Sequence, residues 1–351
     1  MEFENYQNDY WNMYPEMNQD NVPEGKSPLP DYKPKKAYAK VGLGVFFFVL
    51  FFNLVVFVGQ LAIMVITDEE NISIAQLLLT NLVAEACVAL PVYYLIIRKV
   101  PSVVPEKKSM GFGGIISALC MMYAISICGS ILSSFVNSFL ADATGKVSTS
   151  GLEVLFDNDF VITALYCVVV APIVEELVFR KFLVDKLQVY SRKYTIILSG
   201  LLFGLMHGNL EQLFFTFFLG TFFAFIYVRT GKIRYTIILH FLMNGISTML
   251  QYFMSKLTFF DQIDSLTSEQ IMDILLKDEA QLIAFFMMAI ITVLIYLFAI
   301  IGVALFIAKR KKFTLNSPGQ YITAREAFFN YGMILAFVLL IGLLVLSIVL
   351  A

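Results

Sequence analysis

Residues 161–183 read VITALYCVVVAPIVEELVFRKFL, and the fold turns on what this stretch means. Its first half is as apolar as any membrane span. The same run then takes in Glu175, Glu176 and Arg180. In hydrocarbon each of these charges costs several kcal/mol, so they must be paired, or used, or lie at an interface. Which holds depends on the surrounding chain.

The surroundings are lipid-like in composition. Of 351 residues, 59% are hydrophobic and 15% aromatic, and the mean hydropathy is +0.77, far above the range of soluble domains. A net charge of −2 offers no basic surface and excludes nucleic acid as a partner. The polar, Tyr-, Asn- and Pro-rich residues 1–40 lack the aliphatic content for a core and read as a disordered cytoplasmic tail. No cleavable signal peptide opens the chain. Cys87, Cys120, Cys128 and Cys167 form no ligand spacing and read as small buried side chains.

Runs of about 20 apolar residues, the length needed to cross the hydrocarbon core, fall near 41–66, 74–97, 112–140, 160–179, 195–211, 212–228, 235–255, 281–308 and 327–350. The expected fold is therefore all-α, a polytopic transmembrane bundle of about nine spans. Continuous runs rather than alternating short segments exclude a barrel. Four regions follow the tail: helices over 41–157, a core over 158–255, an acidic extracytoplasmic loop over 256–280, and helices over 281–351. Basic loops (Lys33–Lys40, Arg98–Lys108, Arg180–Lys193, Arg229–Arg234, Lys309–Lys312) alternate with acidic ones along this order. Positive charge marks the cytoplasmic face, so the N-terminus is cytoplasmic and the C-terminus outside. The protein is expected to be a multi-pass protein of the plasma membrane. Residues 180–194, mixed apolar and basic, read as an amphipathic helix on the cytoplasmic interface.

Both histidines of the chain, His207 and His240, fall in the same three-span region as the glutamates. Glu176 and Arg180 are i,i+4 and share a face, and so do His240 and Asn244. Glu175 points about 100° away from Glu176. Pro172, one turn earlier, removes a backbone donor and loosens the helix. A carboxylate, two imidazoles and an amide around a wet pocket make a hydrolytic set: Glu175 as base toward water, and Asn244 with an imidazole N–H as donors to an oxyanion. Glu175, His207 and His240 would also serve as a zinc site. Zinc would compete with the base for Glu175, so no tight metal binding is expected. Taken singly, each residue has a bland explanation as a snorkelling charge or as helix-to-helix glue. Glu85 is a further intramembrane acid with no role assigned.

The segments EELVFR (175–180), FGLMH (203–207) and HFLMN (240–244) match E-E-x-x-x-R, F-x-x-x-H and H-x-x-x-N/B in order. They resemble the motifs of the CPBP family of intramembrane proteases, also called the Abi or type II CAAX prenyl endopeptidase family. The resemblance covers about 160–250. It implies a glutamate-dependent endopeptidase, described in much of the family as a metalloprotease. Glu175 would be the base with His207 assisting, His240 and Asn244 would line the oxyanion site, and Glu176 and Arg180 would be supporting. The substrate implied is a peptide or membrane protein met at the bilayer, cut within the inner leaflet. Two other classes compete: a non-catalytic membrane scaffold or immunity factor, and a proton-coupled transporter, which would show repeated halves with broken helices. On these span limits Glu175 and His240 lie ~8 Å from their cytoplasmic helix ends, whereas His207 lies ~18 Å deep. The sequence alone does not reconcile these depths.

Overall fold

The computed structural model describes residues 32–67, 72–148, 160–263, 265–313 and 321–350. Eleven helices appear among them: α1 (Pro34–Thr67), α2 (Ile74–Ile97), α3 (Phe112–Thr144), α4 (Phe160–Leu187), α5 (Arg192–Met206), α6 (Leu210–Thr230), α7 (Ile233–Ser255), α8 (Ser268–Lys277), α9 (Glu279–Lys309), α10 (Ala324–Phe328) and α11 (Tyr331–Leu350). No strand occurs among the described residues. The chain is an all-α polytopic bundle. Among the described residues, eight helices are long and apolar enough to cross a membrane. Helix α5, on the expected span 195–211, has 15 residues. At ~22 Å it is shorter than the hydrocarbon core and forms a hairpin with α6.

Helix ends follow local chemistry. Ser73 and Gln76 form a capping box at the start of α2, Ser191 caps α5 and Asn209 caps α6, each satisfying donors that have no intrahelical partner. Gly231 ends α6 with φ +58°. Its Cα sits against the Pro105 and Glu106 carbonyls, so a side chain has neither the conformation nor the room. Gly200 and Gly220 face each other across the α5–α6 hairpin, the close approach that small residues allow between membrane helices.

Two hydrophobic clusters flank the middle of the bundle. One joins α1, α2, α4, α5 and α11 through Tyr38, Tyr93, Phe179, Leu183 and Met333. The other joins α3, α6, α7 and α9 through Met122, Phe223, Leu239 and Ala299. Outward-facing side chains are themselves apolar, among them Phe57, Phe135, Val293 and Val338, as lipid contact requires.

Two expectations need correction. The chain is helical from Pro34, and Ala37 and Tyr38 are wholly buried, so the tail gives way to the bundle earlier than residue 40. Tyr38 is anchored by a hydrogen bond with Thr195 at 3.1 Å; the tail before residue 32 lies outside the described residues. The amphipathic helix expected over 180–194 is no surface element either. Helix α4 continues to Leu187, and Leu183, Val184, Asp185, Lys186 and Leu187 are buried. Their charges have partners: Lys186 Nζ donates to the Val100 carbonyl at 2.6 Å, and the Tyr227 hydroxyl donates to Asp185 at 2.8 Å. A mixed pattern that looks amphipathic is a buried turn with paired charges.

The basic loops meet at one end. The Val103 amide donates to the Asp185 carbonyl, Lys108 to that of Thr230, and Tyr321 to that of Tyr190. At the other end the Ser148 hydroxyl accepts from the Leu210 amide. Cysteines introduced at Ser109 and at Lys232, beside this basic end, should be protected from an impermeant thiol reagent in intact cells and react after permeabilisation. Labelling of either before permeabilisation would invert the orientation.

Candidate active site

The structure brings the five polar motif positions of α4 and α7 together and sets the α5 motif beside them. Arg180 and Glu176 are completely buried, with Nε–Oε2 at 3.2 Å. The approach is electrostatic rather than a well-aligned hydrogen bond, and Arg180 Nη1 faces no acceptor among the described residues. Two other features hold the guanidinium. It lies 4.6 Å from the centre of the Phe203 ring and 5.5 Å from that of Phe223, and Nη2 donates to the Gly220 carbonyl at 3.4 Å. Aromatic faces stabilise a cation most where water is excluded.

The second oxygen of Glu176 receives His240. The imidazole Nδ1–H donates to Oε1 at 3.0 Å, from α7 to α4. Nε2 is thereby turned toward Glu175, whose Oε2 is 3.5 Å away. With Nδ1–H committed to Glu176, these two atoms attract only if one carries a proton. The separation is too long for a strong hydrogen bond, and both residues line the same cavity. Phe203 packs edge-on against both imidazoles, with ring centres 5.0 Å from His207 and 5.8 Å from His240.

His207 caps the end of α5. Its Nδ1 is 2.8 Å from the Phe203 carbonyl. A carbonyl only accepts, so Nδ1 carries the proton and Nε2 keeps its lone pair. The next residue, Gly208, has φ +67°, which turns the chain sharply into α6. Asn244 donates to the Cys167 carbonyl at 2.8 Å, inside one of two π-helical segments of α4, Leu165–Val170 and Leu177–Phe182. One of its N–H groups is therefore tied to α4, which the oxyanion expectation did not foresee. The second N–H remains.

A cavity of about 290 Å³ runs along this site, lined by Glu175, His207, His240, Asn244, Cys167 and Gln251 among others. All four residues expected to be catalytic border it, and neither Glu176 nor Arg180 does. Because α4 runs on to Leu187, Glu175 lies ~18 Å from that helix end rather than ~8 Å. The cross-helix bond from His240 to Glu176 had no signal in the spacing, since i,i+4 reasoning finds partners on one helix only. Among the described residues no group of three His, Cys, Asp or Glu side chains converges as metal ligands. Glu175, His207 and His240 are not gathered as such a group in this structure.

The comparisons with known proteins support a membrane peptidase of the CAAX-protease-like class. Residues 157–246 match the family model described as "Type II CAAX prenyl endopeptidase Rce1-like". A protein of Bacillus subtilis (strain 168) named "Putative membrane peptidase YdiL" is 28% identical over 191 residues, 52% of this chain and 75% of that protein. No solved structure matches. Both comparisons support the CPBP family.

Glu176 and Glu175 should separate by phenotype. Glu176→Ala strands a buried guanidinium and should cost about 3–5 kcal/mol, read as a fall in thermal midpoint in detergent and in membrane abundance. Glu176→Gln combined with Arg180→Met should recover part of that loss. Glu175→Gln should leave the midpoint near wild type. Equal destabilisation by the two single changes would remove the division between a structural and a reactive glutamate.

Proposed function

We propose that the protein is an intramembrane endopeptidase in which Glu175 activates water. One observation carries this reading: Glu175 and His207 face the cavity, while Glu176 spends both of its oxygens on Arg180 and His240. Two adjacent carboxylates are thereby given different work. One holds the structure, and the other is left to the reaction.

The steps follow from the atoms. A water in the cavity gives a proton to Glu175 while its oxygen attacks the peptide carbonyl carbon, and the Nε2 lone pair of His207 accepts a hydrogen bond from that water and orients it. The carbonyl oxygen becomes an oxyanion. His240, whose Nδ1–H is held by Glu176, acts as the imidazolium and presents its second N–H, at Nε2, to the oxyanion, and the second N–H of Asn244 joins. The tetrahedral species collapses as Glu175 returns its proton to the leaving nitrogen. The C–N bond breaks, and a carboxylic acid and an amine leave. No step is assigned to a metal, because the residues present do not form a ligand set.

The substrate is a peptide or membrane-protein segment that enters the bundle from the bilayer or from the cytoplasmic face. The hydrogen bonds from His240 to Glu176 and from Asn244 to Cys167 also suit a second reading, a non-catalytic scaffold in which these side chains only clamp α7 to α4. Purified protein incubated with a peptide library separates the two. Cleavage by wild type, lost by at least about a thousandfold in Glu175→Gln as expected for removal of a base and its proton transfers, is the result expected. Products at equal rates from both proteins, or from neither, would leave the scaffold. Metal analysis of the active protein should give well under one zinc per chain, with turnover surviving a chelator. Loss of turnover on chelation and its return with added zinc would overturn the metal-independent form of the mechanism.

A further inference from the structure

Behind Glu175 and His207 lies a second cavity, of about 370 Å³, which shares those two residues with the first. Apart from Met206, its remaining lining comes from outside the motif segments: Asn53 of α1, Glu85 of α2, Tyr166 of α4 and Gly208 of the α5–α6 turn, with an apolar wall from α1 and α11. The reacting pair thus stands between two chambers rather than at the bottom of one.

Glu85 is the unusual member. Only 5% of it is exposed, and it lies ~17 Å from either end of α2, near mid-bilayer. The Tyr166 hydroxyl donates to Oε2 at 3.1 Å. Asn53 has one amide N–H bonded to the Val49 carbonyl at 2.8 Å and makes no hydrogen bond to Glu85 in this structure. No lysine or arginine is among the residues lining this cavity, although two carboxylates, Glu85 and Glu175, border it. Glu176, equally buried, has an arginine and an imidazole. An intramembrane carboxylate is kept when something neutralises it, and here the protein supplies one hydroxyl and an open chamber.

We propose that Glu85 binds a cationic side chain, lysine or arginine, of the peptide substrate, and so sets specificity on one side of the bond that is cut. The proposal rests on the peptidase reading of Glu175. A peptide passing from one cavity to the other carries its scissile bond past Glu175 and His207. The residue next to that bond then enters the second cavity with its aliphatic stem along Phe48, Val49, Phe52 and Leu343, and its charge at Glu85 and the Tyr166 ring. Long basic side chains suit such a site, having an apolar stem and a polar tip. An ion pair formed at a buried carboxylate discriminates sharply against a neutral isostere, which leaves the carboxylate buried and unpaired.

The test walks a single lysine through short apolar peptides and compares each with norleucine at the same position. Wild type should favour lysine at one position beside the cleaved bond by about tenfold or more in kcat/KM, the scale of a desolvated charge pair. In Glu85→Gln that ratio should fall close to one. If this variant does not fold, Glu85→Asp, which draws the charge back by a methylene, should lower the ratio. A wild-type ratio near one at every position overturns the proposal, and so does a ratio that neither variant changes. Should no peptide be cleaved, the peptidase reading fails by itself. The same ratio is then read from dissociation constants of the labelled peptides for Glu175→Gln and for Glu85→Gln combined with Glu175→Gln. Lysine preference in the first and not in the second keeps the site, and equal affinities remove it.

Discussion

Arg180 is a permanent cation in a place without water, and the arrangement of the site grows from meeting that demand. Burying an isolated charge costs far more than the net stability of a domain. Here Glu176 cancels the charge within one turn, two phenylalanine faces cover the guanidinium, and the Gly220 carbonyl receives one of its nitrogens. Those groups come from α4, α5 and α6. Satisfying the arginine therefore orders the helices that hold the site. Glu176 then has an oxygen to spare for His240, which brings in α7. A buried ion pair is weak as a source of stability, but it fixes which helix faces meet.

The same constraint separates two chemically identical neighbours. Adjacent residues on a helix point about 100° apart, so Glu175 cannot share the arginine that Glu176 holds. It turns instead to the cavity and to His240 Nε2. One residue of register thus divides support from reactivity. Phe203 links the two halves, since its face covers Arg180 and its ring packs edge-on against both histidines. An aromatic ring suits this place because its face is negative and its edge positive.

Irregular helix geometry recurs where polar groups gather around the cavities. The π-helical segments of α2 and α4 carry Glu85, Tyr166, Cys167 and Arg180. A wider turn rotates the following side chains and loosens a backbone carbonyl, and such segments are frequent at functional sites. The Cys167 carbonyl that receives Asn244 is a direct instance. Proline stands beside these segments rather than within them. In α2, Pro91 follows the π-helical turn, and in α4, Pro172 opens the regular segment between the two.

Much of this was legible in the linear sequence. Long apolar runs allow only helices in a bilayer, because no water is available to the backbone, and the charge of the loops orders their ends. The i,i+4 spacings paired Glu176 with Arg180 and marked Glu175 as the residue left over, since helix geometry alone decides such neighbours. Contacts between helices were beyond that logic. Nothing in the spacing joins His240 to Glu176, covers Arg180 with Phe223, or ties Asn244 to Cys167, because each depends on how α4 to α7 cross. The residues after Arg180 looked amphipathic in one dimension, yet Lys186 and Asp185 are buried because α6 and the loop before α3 bring partners to them. Glu85 stood out as a costly acid, but the chamber it faces is formed by separate parts of the chain, and only their packing makes it.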